Sequence, residues 1–420
     1  MKQYPFPRNR RTEAAFGLFL FTMLLLARDT LITSVKLGFY KSQFLMLALM
    51  VMLGGAFLIY NRCKLREILT DKRILLILAL SLFFVAVMVL KRDWQIMYFS
   101  ILLCLIFAVF LTFFTDSGRV AKYYVVILTA LGVYSLIATY VLRNLGFQGL
   151  IPNPKTVTND AGMVFLDYGL CFAVDNRFWH RNFGIFREPG VYQFFLILGL
   201  YLNHYHVRWE KEGVRWLLSA LLTAVMISTY AIGGFVETGL FAVFLYIDQK
   251  CYRSKAGRWV GIVCIAAAAA LVTAVVATVQ KEQFNNSPLY ELYDMWIRLT
   301  TASESSTDRS SALITDLRMF FTHPLLGSKI APVLHGTNHN TSSTLILFAV
   351  TGIAGGVLHL ATWSALLWRK ERNVLGNLLL LLIFLMSFNT QNLVADVFFW
   401  LFPCMALVER GLPLIQKKEK

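Results

Sequence analysis

The chain is poor in charged residues and in cysteine, and it lacks the short motifs of several common enzyme classes. Only 15% of its 420 residues are charged, and its six cysteines are scattered singly. It contains no CxxC pair, no HExxH, no P-loop glycine pattern and no GxSxG, so neither a zinc-dependent nor an ATP-driven activity has support. A disulfide framework is equally unsupported. The sequence therefore predicts neither a metal site nor a cofactor.

Apolar residues dominate what is present. They make up 57% of the chain, which is more than the interior of a soluble protein of this length needs. The predicted fold class is all-α: a polytopic membrane bundle of about 12 transmembrane helices, forming a single integral membrane domain over residues 1–420. The predicted spans are 12–30, 43–60, 73–90, 95–114, 122–142, 190–206, 214–232, 235–249, 258–279, 341–367, 374–390 and 393–409.

Basic residues are distributed unequally between the two sides predicted for this bundle. The formal charge is +16. With an even number of spans, most basic residues fall on the side that holds both termini. The positive-inside rule places that side in the cytoplasm, so both termini are predicted to be cytoplasmic. Because membrane orientation accounts for this distribution, the positive charge does not indicate nucleic acid as a partner, and membrane lipid is the partner expected of such a bundle.

Two long connections interrupt the series of spans, and both are predicted to face outward. Outer loop A covers 143–189 and outer loop B covers 280–340; connections of this length are usually functional or disordered. The end of loop A and the start of the next span form a polar cluster from Arg181 to Gln193. Its two arginines and one glutamate stand at a membrane boundary, where charges are costly unless they have partners or a function.

Loop B contains a predicted helix. Ser306 is followed by Thr307 and Asp308, which are good helix-start residues, and the helix is expected to run to about Phe321. Helical spacing places Arg309 and Asp316 on one face and Arg318 elsewhere.

Three sets of residues follow one another in a characteristic order. Arg187-Glu188-Pro189-Gly190 opens a span, Arg309 and Arg318 precede His323-Pro324-Leu325-Leu326-Gly327, and His339-Asn340 precedes Gly352-Ile353-Ala354-Gly355. In these residues, and in its arrangement of spans, the chain resembles the bacterial O-antigen polymerase and ligase superfamily, the Wzy and WaaL type proteins. The likeness covers roughly residues 180–360 and the span layout.

The resemblance implies an inverting, metal-independent glycosyltransferase. It would join undecaprenyl-diphosphate-linked oligosaccharide repeat units at the outer face of the bacterial inner membrane, with a chain-length regulator and a flippase as further partners. The physical chemistry agrees with this expectation. Departure of a lipid diphosphate develops negative charge that guanidinium groups stabilise, and the attacking sugar hydroxyl needs a base within reach.

Site residues follow from these two requirements. Arg187, Arg309 and Arg318 suit the diphosphate, and Glu188 or His339 suits the proton transfer. The predicted catalytic residues are Arg187, Glu188 and His339. The predicted substrate-binding residues are Arg181, Tyr192, Arg309, Arg318, His323, Asn340 and Glu237.

Simpler interpretations stay open for several of these residues. Arg187 and Glu188 could form an ordinary boundary ion pair, Arg318 could snorkel to lipid headgroups, and His323 could be a turn element. Glu237 is expected to pair with the loop arginines, and the role of Asp396, the second acid predicted inside a span, stays open.

Two other functions compete with the polymerase. One is an O-antigen ligase that transfers the glycan to lipid A-core or protein, and the other is a polysaccharide flippase or transporter. The complete Arg-Glu-Pro-Gly element favours the polymerase over the ligase. Polar residues gathered on the outer side, with no internal repeat, argue against the transporter.

Overall fold

The structure is a computed structural model, and it is mostly helical. It describes residues 10–37, 39–60, 69, 71–143, 153, 155–158, 164–169, 173–175, 181–255, 258–259, 261, 304–335, 341–389 and 391–417. Most of the predicted span 258–279 and the pair His339-Asn340 lie outside these residues.

The helices follow the apolar runs of the sequence. They are α1 (Arg10–Leu25), α2 (Phe39–Tyr60), α3 (Lys72–Lys91), α4 (Ile96–Leu111), α5 (Ser117–Leu136), α6 (Pro189–Tyr205), α7 (Glu212–Ser228), α8 (Ile232–Asp248), α9 (Glu304–Thr322), α10 (Ile330–His335), α11 (Ser343–Leu367), α12 (Val374–Phe388) and α13 (Val397–Lys417). Short π-helical segments lie at Ile32–Leu37 and Ile137–Arg143. Local capping explains several starts: Asp71, Asp116 and Asn373 each accept a backbone N–H of the first turn.

Among the described residues, three helices are long and apolar enough to cross a membrane: Lys72–Lys91, Ser117–Val141 and Ser343–Leu367. The segments Lys41–Ala56, Ile96–Leu111 and Val374–Phe388 are apolar but shorter. These features are those of a membrane protein.

Contacts between helix termini define two ends of the bundle. At one end Glu13, near the start of α1, pairs with Arg119 at 2.8 Å, and Ser117 at the start of α5 donates to Glu409 in the second half of α13. At the other end the chain just after α1 meets the chain just before α13, where Arg28 N donates to Asp396 at 2.8 Å. We call these the Glu409 end and the Arg28 end.

The core between these ends is aromatic. Trp363 of α11 contacts Phe388 of α12 at 4.4 Å between ring centroids, and Phe194 of α6 and Phe399 of α13 join the same group. Trp363, Phe388 and Phe399 have no exposed surface. Ring pairs of this kind add about 0.5–1.5 kcal/mol each beyond the area they bury, so they fix how α6, α11, α12 and α13 pack together.

Helix α11 is interrupted at Gly352. This residue has φ +65° and ψ −164°, and a Cβ there would lie 2.2 Å from the Leu325 carbonyl oxygen. The turn after α9 supplies partners for the freed backbone groups: Ile353 N donates to Pro324 O at 2.8 Å, and Ser328 N donates to Ala349 O at 2.6 Å. The backbone groups that the break frees are therefore hydrogen-bonded within the protein, as backbone buried in a membrane bundle requires.

Loop A contains a small antiparallel sheet that the all-α expectation did not include. Its strands are β1 (Lys155–Thr158), β2 (Val164–Asp167) and β3 (Ala173–Asp175), in the order β1-β2-β3. Lys155 pairs with Asp167, and Phe165 pairs with Asp175. Strands of three or four residues carry too short an alternation to be distinguished from loop in a sequence.

Two predicted span boundaries, the end of the first span and the start of the last, were wrong. The first span was expected to continue to residue 30, but α1 ends at Leu25 and the chain turns at Asp29, whose φ is +61°. The last span was expected to start at 393, but α13 starts at Val397. Asp396 therefore precedes the helix instead of lying inside a span.

Candidate functional site

Two segments that are far apart in sequence run side by side at the Arg28 end. Arg187 N donates to the Asp29 carbonyl oxygen at 2.8 Å, and Leu31 N donates to the Ile185 carbonyl oxygen at 2.8 Å. Asp29 adopts a left-handed conformation that is uncommon for residues other than glycine. Such strain persists where surrounding contacts hold it, and it concentrates at functional sites.

Arg187 stands between two carboxylates. Its Nη2 lies 3.3 Å from Asp29 Oδ1 and 3.2 Å from Glu188 Oε1. Glu188 precedes Pro189, the first residue of α6, but its side chain makes no capping hydrogen bond. The Glu188 carboxylate is instead held by Arg187 and by Gln391, whose Nε2 donates to Oε2 at 3.0 Å.

Arg28 connects this pair to the chain before α13. Its Nη1 donates to Asn392 Oδ1 at 3.2 Å, and its backbone N–H donates to Asp396 Oδ2. Its Nε lies 3.7 Å from Asp29 Oδ2. Asp396 Oδ1 also accepts the N–H of Phe398, so this carboxylate lies at the positive end of α13.

The close approach of Gln391 explains why a glycine follows Pro189. A Cβ at this position would lie 2.6 Å from Gln391 Nε2. Gln391 is held in turn by Ser343 at the start of α11, whose Oγ donates to the Gln391 carbonyl oxygen at 2.5 Å. The start of α6 can therefore approach the chain before α13 closely only because residue 190 has no side chain.

We call these seven residues the Arg28–Arg187 cluster: Arg28, Asp29, Arg187, Glu188, Gln391, Asn392 and Asp396. The side chains of Asp29, Arg187 and Glu188 are 16%, 21% and 33% exposed, so the cluster can be reached from outside the bundle. Burial works against the charge of Arg187, but the carboxylates of Asp29 and Glu188 outweigh it and raise the pKa of the guanidinium. Arg187 therefore stays a cation.

The cluster combines two guanidinium groups with an accessible carboxylate. Guanidinium groups bind the oxygens of phosphate through parallel N–H donors. The Nε of Arg187 is buried and has no hydrogen-bond partner among the described residues, whereas its Nη2 lies within 3.3 Å of both carboxylates. In the part of the chain that the structure describes, no group of three or more His, Cys, Asp and Glu side chains is placed to hold a metal ion. Independence from metal stays a prediction.

Arg181 and Tyr192, which were expected to bind substrate, lie inside the protein. Arg181 is 7% exposed, and its guanidinium donates to the Tyr230 carbonyl oxygen at 2.9 Å. Tyr192 is 1% exposed and its ring lies 5.2 Å from that of Phe186. Gly184, with φ +58°, lies directly against this ring. Tyr192 thus packs with Phe186 and Gly184 in the wall behind Arg187, and Arg181 is held by the backbone of Tyr230.

Glu237 was expected to pair with loop arginines, but among the described residues its contacts are with the amide of Gln193 and the hydroxyl of Ser387. The residue is fully buried on α8, and its Oε1 accepts from Gln193 Nε2 of α6 at 3.4 Å. Gly233 allows this approach, because a Cβ there would lie 2.7 Å from the same nitrogen. Glu237 therefore lies where α8 meets α6 and α12.

The predicted helix of loop B is confirmed as α9, which packs on α11 through Phe320 and Phe348. Arg318 on this helix is exposed, and Asp316 is buried. His323 follows α9, where its Nδ1 lies 3.1 Å from Ser328 Oγ. Arg309 lies in the described backbone of α9, but its side chain, like His339 and Asn340, falls outside the described residues.

Arg28 and Asn392 were not among the site residues predicted from the sequence, and neither were Asp29 and Gln391. One signal could have found them. In a bundle with an even number of spans, the end of the first span, the start of the sixth and the start of the last all reach the same side.

Comparison with known protein families, with curated proteins and with solved structures finds no match.

Proposed function

We propose that this protein is a membrane glycan polymerase that joins undecaprenyl-diphosphate-linked oligosaccharide repeat units at the outer face of the bacterial inner membrane. In this proposal the reaction is inverting and independent of metal. The observation that carries it is the meeting of Arg28 and Arg187, with Glu188, in a cluster that is partly open to solvent. A cation pair beside a carboxylate is what transfer from a lipid diphosphate needs.

The proposed step assigns each group a task. The hydroxyl of one lipid-linked glycan attacks the anomeric carbon of another and passes its proton to Glu188. The bond between that carbon and the diphosphate oxygen breaks, and the lipid diphosphate departs with both electrons. Arg187 and Arg28 stabilise the charge that develops on it, and Asp29 holds Arg187 in place until substrate binds.

The same proposal includes about 12 spans with both termini in the cytoplasm. The distribution of basic residues supports it. Arg119 and Arg410 lie at the Glu409 end, together with Arg369 and Arg372 after α11. Placing this end in the cytoplasm satisfies the positive-inside rule, and the Arg28–Arg187 cluster then faces outward.

Two alternative functions compete with the polymerase. A ligase that passes the glycan to lipid A-core or protein would use the same cluster. The break in α11 is the one feature that suits a transporter, since interrupted helices in transporters often expose backbone groups to cargo. Here, however, Ala349 O and Ile353 N are engaged by the turn after α9, and Val350 O accepts from Lys91. These groups are therefore already satisfied by the protein, which supports the enzyme over the transporter.

The test is elongation of purified lipid-linked repeats by Arg187 variants. Arg187→Ala should slow polymer formation roughly 100-fold or more, and Arg187→Lys should recover little, because a point charge cannot replace a planar fork of donors. Arg208→Ala, an exposed position beyond α6 toward the Glu409 end, is the matched control and should be unaffected.

The products separate the candidate functions. A ladder of polymer lengths made from lipid-linked repeats alone supports the polymerase, and product that forms only with lipid A-core or protein present supports the ligase. Full activity of Arg187→Lys would contradict the proposed diphosphate contact. Movement of lipid-linked glycan across a vesicle membrane, with no product formed, would support the transporter.

A further inference from the structure

A cavity of about 690 Å³ lies beside the turn that follows α9. It is bounded by the last residues of α3 on one side and by residues 323–332 on the other. The Arg28–Arg187 cluster does not line it. Ser343 contacts the cluster through Gln391, whereas Val350, about 10 Å further along α11, accepts from Lys91 at the cavity wall.

Three basic side chains line the cavity: Lys91, His323 and Lys329. The Lys91 ammonium donates to the Val350 carbonyl oxygen and to Tyr98, so it is held in place and keeps a third N–H. Lys329 is exposed and forms no ion pair with a described residue. His323 is positioned through Nδ1 by Ser328, and its Nε2 has no partner in the described part of the chain.

The opposite part of the lining is apolar and exposed. Leu90 is 67% exposed, Leu325 is 74% exposed and Leu326 is 39% exposed. Leu90 is on α3, a candidate membrane span of which only 22% of the apolar window is buried inside the protein. Leu75, Leu78 and Leu82 of the same helix are also exposed, so the cavity opens beside a surface suited to lipid chains.

We propose that this cavity binds the phosphate headgroup of an anionic lipid. The phosphate would lie among Lys329, His323 and the third N–H of Lys91, and the chains would lie against Leu90 and Leu325. Neither kind of lining alone selects this ligand. Basic groups alone suit any anion, and leucines alone suit any apolar chain, but a phosphate attached to an apolar chain satisfies both.

This inference does not rest on the proposed function, because it involves none of the cluster residues and requires no reaction. The break in α11 gives the cavity its shape. Gly327, with φ +73°, lies against Val350, and a Cβ there would be 2.4 Å from the Val350 carbonyl carbon. The turn and the helix are therefore fixed against each other, and the basic side chains are presented from a rigid support.

The test is lipid binding to the full-length protein in detergent, measured by native mass spectrometry. Phosphatidylglycerol is titrated against phosphatidylcholine, and the variants are Lys329→Gln, His323→Gln and the double variant. The double variant should bind phosphatidylglycerol roughly tenfold more weakly, as expected for losing charge-assisted hydrogen bonds. Lys329→Arg should retain binding. Lys370→Gln, an exposed lysine after α11 toward the Glu409 end, should bind as the unaltered protein does.

A second measurement distinguishes a lipid from a free anion. Leu325→Ser should weaken binding of phosphatidylglycerol, and millimolar inorganic phosphate should compete poorly with the lipid. Equal binding of the two lipids would overturn the proposal. So would unchanged phosphatidylglycerol binding by the double variant, or complete displacement of the lipid by inorganic phosphate.

Discussion

Asp29 contacts Arg187 through both its backbone and its side chain. The Asp29 carbonyl oxygen accepts the Arg187 backbone N–H at 2.8 Å, and Asp29 Oδ1 lies 3.3 Å from Arg187 Nη2. The left-handed backbone of Asp29 makes both contacts possible, because the chain reverses there before α2. One residue therefore sets the position of the arginine and balances its charge.

Replacing Asp29 should separate these two contributions. Asn tolerates the left-handed conformation and lacks the charge, so Asp29→Asn should lower polymer formation while leaving the melting temperature nearly unchanged. Ala does not tolerate it, so Asp29→Ala should lose a further ~1–2 kcal/mol of stability. Activity assays and thermal melts in detergent measure the two effects. Identical melting temperatures for the two variants would show that the backbone of Asp29 is not under strain.

Gly184→Ala should destabilise the wall behind Arg187. A Cβ at Gly184 would lie 2.4 Å from Tyr192 Cε1, and overpacking of this kind costs about 1–3 kcal/mol. Gly169→Ala is the matched control, because Gly169 also has positive φ but no atom of the described residues lies within 4 Å of its Cβ position. Thermal melts of both variants isolate the packing contribution. Equal losses would mean that backbone strain alone accounts for the glycine at 184.

Gly352→Ala should disrupt the break in α11 and the turn that fills it. The added methyl group would meet the Leu325 backbone, which cannot move without losing the bond from Ile353 N to Pro324 O. We expect a lower melting temperature and faster proteolysis between α9 and α10. Gly239→Ala, on α8 with no atom of the described chain within 4 Å of its Cβ position, should instead gain up to ~1 kcal/mol from helix propensity. A stable Gly352→Ala protein would argue that α11 can run straight.

Cysteine labelling should report the sides of the membrane. In a Cys171→Ser background, Thr158→Cys on β1 should react with an impermeant thiol reagent in intact cells, because loop A is proposed to face outward. Lys370→Cys should react only after the cells are permeabilised. Both positions are exposed in the structure, so access and not burial decides the result. The reverse pattern would invert the proposed orientation.

Chelation should leave the activity near normal. We expect elongation in excess EDTA at close to the untreated rate, because arginines can stabilise the departing diphosphate without a divalent ion. Activity that EDTA abolishes and magnesium restores would return Asp29, Glu188 and Asp396 to consideration as metal ligands.

Local patterns were sufficient for much of the fold. Apolar runs placed most helices within a few residues, and Pro189 marked the first residue of α6. The helix of loop B followed from its polar start and from His323-Pro324 at its end. Arg187 and Glu188 stood out as charges at a membrane boundary. These conclusions depend on a residue and its near neighbours, whose hydropathy and backbone preferences a sequence displays directly.

The tertiary structure decided which charges meet and which of them are covered. Arg28, Arg187 and Asn392 converge because three connections reach the same end of the bundle, and no local spacing encodes that meeting. Arg181 has the same chemistry as Arg187, yet it is buried and donates to the Tyr230 carbonyl oxygen. The left-handed turn at Asp29 and the break at Gly352 depend likewise on distant partners that supply their hydrogen bonds. The identity of a side chain was therefore visible in the sequence, but its partners were set by the packing of helices far apart in the chain.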